Sequence, residues 1–331
     1  MYSDEELNDA VKNGIFSSSA VYEFRQHIAK SRDTVQVDEE NFRLLGGFND
    51  IFVVIASGLL LVSLTWLGKT VSPLLGAVVL AAGSWALAEI FVRRKRMALP
   101  AIALLISFVV GLFSIPISLG QPPTEIQFLA AAGLATAGAW LHWQRFRVPI
   151  TLAAGMVALF AGIFGTVVSQ FPEARFYYQP YLAVAGLLTF ALAMYWDARD
   201  PQRQTRQSDV AFWLHLLAAP MIVHPIFSSL GIFSGVTGYS TALMVLGIYL
   251  MLALVSIAVD RRAIMVSALI YVVYAMSGLL ENYGFVSHSL AMTGICIGGS
   301  LLLLSAYWHQ SRQFVVGLLP QKTHAFLPAL H

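Results

Sequence analysis

Ten long apolar runs dominate this sequence and constrain its fold more than any other feature. The hydrocarbon core of a bilayer is about 30 Å thick, so a helix rising 1.5 Å per residue needs about 20 apolar residues to cross it. The fold predicted from these runs is all-α, a polytopic transmembrane helix bundle of about ten spans. Bounded by charges or by Gly and Pro, the runs lie at approximately 48–67, 73–92, 98–119, 126–143, 148–169, 180–196, 210–230, 238–259, 263–281 and 287–308.

The composition supports the same class of protein. Of the 331 residues, 57% are hydrophobic and 11% are charged, whereas an ordinary soluble domain has roughly 25% charged residues. A mean hydropathy of +0.70 argues against a soluble enzyme and against a disordered chain, which needs low hydrophobicity. The 20 basic and 18 acidic residues nearly balance, so no nucleic-acid partner is expected. The predicted partner is the lipid bilayer.

Basic residues set the predicted orientation, because Lys and Arg near span ends are retained on the cytoplasmic side. With both termini in the cytoplasm, only Lys69 and Arg175 fall outside. The 18 basic residues that fall inside are Lys12, Arg25, Lys30, Arg32, Arg43, Arg93, Arg94, Lys95, Arg96, Arg145, Arg147, Arg199, Arg203, Arg206, Arg261, Arg262, Arg312 and Lys322.

Three regions are predicted: a cytoplasmic N-terminal hairpin and linker (1–47), the transmembrane domain (48–310) and a cytoplasmic tail (311–331). In the hairpin, Gly14 is expected to stop a first helix, since glycine tolerates the left-handed conformation. Ser17 to Ser19 offer N-caps for a second helix, whose apolar stripe is formed by Val21, Phe24 and Ile28. No signal peptide is recognised, so the first span is expected to be a retained anchor.

Two segments carry a resemblance. The segment Leu7 to Lys30, with Asn13-Gly14-Ile15-Phe16-Ser17 between its two predicted helices, resembles the start of a family of bacterial multi-spanning inner-membrane proteins that has no assigned activity. The stretch from Ser208 to Pro220 is similar to a signature of proteobacterial membrane proteins. The resemblance implies a multi-pass protein of the bacterial inner (plasma) membrane, and it brings no functional residues with it.

The seventh span is the richest candidate for a functional site. It contains His215, His224, Pro220 and Pro225, and ionisable groups inside a membrane usually face the bundle interior and mark pathways. Each proline removes a backbone donor, so a kinked or interrupted helix of the kind that binds solutes in transporters is expected. The alternative is that both histidines only hydrogen-bond neighbouring helices. Nine residues separate them, which places them on opposite faces and argues against a shared metal.

Three carboxylates are further candidates for a pathway or binding site. Glu89 precedes Arg93 by four residues, which favours a helical ion pair. Asp209, just before the seventh span, suits the dipole or the cap of a helix N-terminus. Glu281 near the outer end of the ninth span could guard a pathway, although carboxylates at the interface are common.

Catalytic and cofactor patterns are absent from the sequence. It contains no HExxH, GxSxG or phosphate-binding GxxxxGK[ST] motif, and its single cysteine, Cys296, cannot form an intramolecular disulfide. No enzyme activity, cofactor or metal is therefore predicted. Gly294 and Gly298 form a GxxxG pair, for which close packing within the bundle is the favoured interpretation over dimerisation.

Two functional hypotheses remain open. The first is a protein that binds or transports a small solute or ion, with the seventh span at its centre. The second is a non-transport scaffold or sensor that engages a protein partner through its cytoplasmic N-terminal hairpin. A cavity reaching His215 or His224 would favour the first, and a tightly packed bundle with an exposed apolar face on residues 18–31 would favour the second.

Overall fold

The computed structural model of the chain describes residues 4–24, 48–201, 203, 205–231, 239–282, 289–320 and 327. These residues are helical or in short connections, and none of them is in a strand, as predicted. The helices are α1 (Asp4–Lys12), α2 (described over 18–24), α3 (Phe48–Val71), α4 (Pro73–Ala88), α5 (Ala98–Ile117), α6 (Glu125–Phe146), α7 (Thr151–Gln170), α8 (Tyr178–Asp197), α9 (Arg206–Ser228), α10 (Tyr239–Val259), α11 (Ala263–Asn282), α12 (Ser289–Ala306) and α13 (Trp308–Gly317).

The ten helices α3 to α12 lie where the apolar runs predict spans. Eight helices in the described part of the chain are long and apolar enough to cross a membrane. A ninth span results if α12 and α13 are taken together, although the axes of Ala291–Ala306 and Trp308–Gly317 differ by 76°. Helix α6, with 22 residues, is not among the eight. The membrane class is thus confirmed, while the count of ten and the predicted orientation stay predictions.

Short connections separate the helices, and the capping residues show why individual helices begin and end where they do. Ser72 caps α4, because its Oγ accepts a hydrogen bond from the backbone N–H of Leu75 at 3.1 Å, and Pro73 follows at the first helical position. Helix α4 continues as a π-helical turn over Glu89–Arg94. Arg147 ends α6 in a left-handed conformation with φ of 56°. These tight ends make successive helices neighbours in the bundle.

The helices pack into two groups joined by a shared core. Helices α3 to α7 enclose buried side chains that include Leu105 and Ala135, and α9, α10, α11 and α13 enclose a second core that includes Val223 and Trp308. A smaller core built from α6, α7, α8 and α9, with Leu214 at its centre, links the groups. Helix α9 is the most enclosed span, with 56% of its apolar window buried against 17–39% for the others.

Two helices, α1 and the start of α2, lie where the N-terminal hairpin is predicted, while their assignment to a cytoplasmic hairpin stays a prediction. Gly14 adopts the left-handed conformation after α1, and the N–H of Ala20 donates to Ser17 Oγ at 3.1 Å. Val21 is buried whereas Phe24 is exposed, and Ile28 and the linker lie outside the described residues. At the other end of the chain, α13 crosses the predicted boundary at residue 310, so the predicted tail begins as a helix packed on α10.

The GxxxG interpretation is wrong for the described part of the chain. A methyl group built on Gly294 or on Gly298 meets no described atom within 4 Å. These glycines therefore do not mediate close packing of α12 against another described helix.

Candidate functional site

The seventh predicted span corresponds to α9, and its first histidine belongs to a buried ionic network. His215 Nε2 lies 2.8 Å from Asp197 Oδ2, at the last residue of α8. Both side chains are enclosed, with 0% and 1% of their surface exposed. The ring of Phe190 packs edge-on against the imidazole, with centroids 5.2 Å apart. His215 thus fixes α9 to α8 by a polar bond inside an apolar core.

Arg261 completes this network from the connection between α10 and α11. Its Nη2 donates to Asp197 Oδ1 at 2.6 Å, its Nε donates to Asp197 Oδ2 at 3.3 Å, and its side chain is 2% exposed. Nη2 also donates to the carbonyl and the hydroxyl of Ser208, each at 3.2 Å. A buried charge is tolerated only when it is paired and hydrogen-bonded. One aspartate therefore ties together α8, α9 and the α10–α11 connection.

A second network begins at the neighbouring residue. Asp260 accepts hydrogen bonds from Arg203 Nη1 at 2.9 Å and from Trp308 Nε1 at 2.7 Å, and Arg312 Nε lies 3.7 Å from its carboxylate. Asp260 adopts a left-handed conformation with φ of 59°. At this connection the consecutive residues Asp260 and Arg261 belong to different networks. The network of Asp260 attaches α13 to the bundle through Trp308 and Arg312.

The second histidine of α9 has different partners. His224 Nδ1 shares a hydrogen bond with the hydroxyl of Tyr271 on α11 over 2.7 Å, and Ser228 Oγ lies 3.4 Å from both ring nitrogens. Phe227 stacks on Tyr271 with centroids 5.0 Å apart. Unlike His215, His224 is only half-buried. This polar cluster of His224, Ser228 and Tyr271 lies between α9 and α11.

The structure does not bring the predicted site residues together. His215 bonds to α8 and His224 bonds to α11, as their opposite faces predict. Pro220 and Pro225 lie inside α9, which runs as one helix from Arg206 to Ser228, so the helix is not broken at either proline, and the predicted kink stays a prediction.

The three candidate carboxylates have separate surroundings. Glu89 pairs with Arg93 as predicted, at 3.3 Å, and also with Arg145, whose Nε lies 2.7 Å from Glu89 Oε1. Helix α9 begins four residues before the expected position and is capped by Thr205, so Asp209 occupies its first turn and is not the cap. Glu281 lies in the last turn of α11, and its side chain is outside the described residues.

Sequence reasoning missed the most buried ionisable groups. Arg261 and Arg312 were interpreted only as basic residues at span ends, and Asp197 and Asp260 were given no role, yet all four are buried. The sequence did contain a signal for the two aspartates. Asp197 and Asp260 lie close to arginines at predicted span ends, and an aspartate there has no role in setting the orientation of the protein in the membrane. His142 was also missed; it is fully buried on α6 among Trp85, Phe108 and Phe146.

Comparison with known proteins adds no family to this description. No family model, no curated protein and no solved structure matches the chain. The fold itself defines the class: helices long and apolar enough to cross a bilayer make this chain a multi-pass integral membrane protein.

Proposed function

We propose that the protein binds or transports a small solute or ion, with α9 at its centre and the cluster of His224, Ser228 and Tyr271 as the binding group. The observation that carries the proposal is the position of His224, a half-buried imidazole on the most enclosed span, hydrogen-bonded to a hydroxyl on a second span. Polar groups inside a membrane bundle are costly and commonly mark a substrate or ion pathway.

The two histidines have different parts in this proposal. His215 is saturated on its Nε2 side by Asp197 and is fully enclosed, so it holds α9 against α8. His224 retains accessible surface, and Ser228 approaches it only at 3.4 Å. A solute with hydrogen-bonding groups can replace these weak contacts. The side-chain chemistry of the cluster fits a neutral or anionic solute, because it offers hydroxyl and imidazole donors and contains no carboxylate.

The test is a thermal-shift screen of the purified, reconstituted protein over anions, cations, amino acids and sugars, followed by flux assays with each stabilising compound. A ligand at one hundred times its Kd stabilises the folded state by about 2.7 kcal/mol. Stabilisation should be lost in His224→Asn and weakened in Tyr271→Phe, which removes only the hydroxyl. Leu216→Ala is the matched control, because Leu216 is an exposed residue on the same helix.

Two outcomes would contradict this proposal. One is that no compound of any class stabilises the wild-type protein. The other is that a compound stabilises wild type, His224→Asn and Tyr271→Phe equally, since it would then bind elsewhere.

A specific observation favours the second hypothesis, a scaffold or sensor that engages a protein through its N-terminal hairpin. Ile15 and Phe16 at the turn and Tyr22 and Phe24 on α2 are exposed, and neighbouring exposed apolar side chains are typical of interaction surfaces. Site-specific photocrosslinking from position 16 tests this candidate. A discrete crosslinked protein that disappears in Ile15→Ser would support it, and crosslinks to lipid alone would contradict it.

A further inference from the structure

A cavity of about 440 Å³ lies at the predicted cytoplasmic end of the bundle, between the ends of α6 and α8 and the start of α9. Its size falls in the range of small-molecule sites. It is separate from the His224 cluster, which is 18 residues further along α9 than Arg206 and therefore about 27 Å away at 1.5 Å per residue. The cavity is lined by Trp143, Arg147, Trp196, Arg199, Thr205, Arg206 and Gln207.

Three guanidinium groups share this cavity, and none of the lining residues is acidic. Aromatic rings hold two of the three groups: the Arg147 guanidinium lies 5.6 Å from the Trp143 ring centroid, and that of Arg199 lies 4.2 Å from the Tyr195 ring. Neither Arg147 nor Arg199 has an ion-pair partner among the described residues. The like charges of Arg147 and Arg199 at one cavity repel each other, and an anion bound between them would remove that repulsion.

Local backbone structure builds the cavity. Asp200, a buried residue, accepts hydrogen bonds at Oδ2 from the backbone N–H of Thr205 at 2.8 Å and from its hydroxyl at 2.7 Å. This holds the short connection between α8 and α9, so the N-terminus of α9 faces the cavity. The dipole of a helix N-terminus favours anions, although the N–H of Gln207 already donates to the Thr205 hydroxyl that caps α9.

The position of the cavity at the ends of the helices indicates which kind of anion it binds. Trp196 stands at the end of the candidate span α8, where indole rings settle at the level of lipid headgroups. Basic pockets between helices at this level bind anionic headgroups. We infer that this cavity is a binding site for the phosphate group of an anionic phospholipid, with Arg147, Arg199 and Arg206 contacting the phosphate and the half-buried Trp196 packing against the glycerol.

The test measures lipid binding to the full-length protein by native mass spectrometry and thermal shift in detergent micelles doped with phosphatidylglycerol, cardiolipin or phosphatidylcholine. Anionic lipids should bind and stabilise the wild-type protein, and phosphatidylcholine should not. In Arg147→Gln/Arg199→Gln we expect the affinity for the anionic lipids to fall about thirtyfold, because two of the cations near the headgroup are removed.

Two further variants test whether anionic lipid binds at this cavity or is attracted to any positive charge on the protein. Arg94→Gln/Lys95→Gln removes the same charge at the same predicted side, away from the cavity, and should bind anionic lipid as the wild type does. Arg147→Lys/Arg199→Lys keeps the charge and should restore most of the binding, which excludes misfolding as the cause of the loss.

Three results would overturn the inference. Equal binding by the Arg147→Gln/Arg199→Gln variant and the wild type would place the lipid elsewhere. If phosphatidylcholine stabilised the protein as much as the anionic lipids do, the negative charge of the headgroup would have no role in binding. Saturable stabilisation by inorganic phosphate, with none from the anionic lipids, would make the cavity a site for a soluble anion.

Discussion

Asp197 and Arg261 form a buried ion pair across 64 residues of sequence, with Arg261 Nη2 2.6 Å from Asp197 Oδ1. The same carboxylate bonds to His215, so one side chain neutralises a guanidinium and positions an imidazole. The pair connects the end of α8 to the connection between α10 and α11, two parts of the bundle that the chain itself joins only through α9 and α10.

Removing the charge of Asp197 should destabilise the protein strongly. Asp197→Asn keeps the shape of the side chain but leaves Arg261 buried without its counter-charge, and breaking such a pair costs about 3–5 kcal/mol. Unfolding by sodium dodecyl sulfate in mixed micelles measures the loss. Glu89→Gln is the matched control, because the same chemical change is made at a carboxylate with 29% of its side-chain surface exposed, and it should shift the unfolding midpoint far less. Equal shifts for the two variants would contradict the network.

Trp308→Phe should also destabilise the protein, through one hydrogen bond. The indole Nε1–H donates to Asp260 Oδ1 at 2.7 Å from a buried ring, and a hydrogen bond to a charged group contributes about 1.5–3 kcal/mol. Trp140→Phe is the control, since Trp140 is exposed. The same unfolding titration compares the two variants. If Trp308→Phe is as stable as Trp140→Phe, the indole does not hold α13 through Asp260.

Gly111→Ala should force α5 away from α4. A methyl group at this position would lie 2.6 Å from the backbone nitrogen of Ala81, and overpacking of this kind costs about 1–3 kcal/mol. Gly133→Ala makes the same change on α6, where nothing lies within 4 Å, and should be neutral or slightly stabilising because alanine favours helix. Thermal unfolding in detergent distinguishes the two. A neutral Gly111→Ala would mean that the helices are farther apart.

The predicted orientation can be tested with single cysteines in a Cys296→Ser background. Arg175→Cys should react with a membrane-impermeant maleimide in intact cells, whereas Arg94→Cys should react only after permeabilisation, because basic clusters are retained in the cytoplasm. Labelling is read by gel shift. The opposite labelling pattern would mean that the topology is inverted and that the basic cavity at Arg147 lies at the outer face of the membrane.

The positions of the long helices could be predicted from the sequence because each needs only local information. An apolar run of 20 residues fixes a helix wherever it lies in a bilayer, since no other local structure satisfies its backbone there. The pairing of Glu89 with Arg93 follows from helical spacing in the same way, and it is confirmed. The pairing of Glu89 with Arg145 could not be predicted, because 56 residues separate the two side chains.

The candidate site was predicted in part. His215 and His224 stand out in the sequence as ionisable residues within an apolar run, and the helical repeat separates them correctly onto opposite faces. Their partners Asp197 and Tyr271 are not visible in the sequence, because no local pattern links them to α9. The interpretation of Gly294 and Gly298 is wrong for the described part of the chain for a similar reason: a GxxxG pair permits close packing, but it does not determine whether another helix lies against it.

The sequence by itself determined that this is an all-helical, multi-pass membrane protein and where its long helices lie. Hydrophobic length and helical period carry that information along the chain. Only the tertiary structure decided that Asp197 serves both His215 and Arg261, that α9 is the most enclosed span, and that three arginines share one cavity. These relationships depend on which helix faces which, and that choice is made by packing between distant segments.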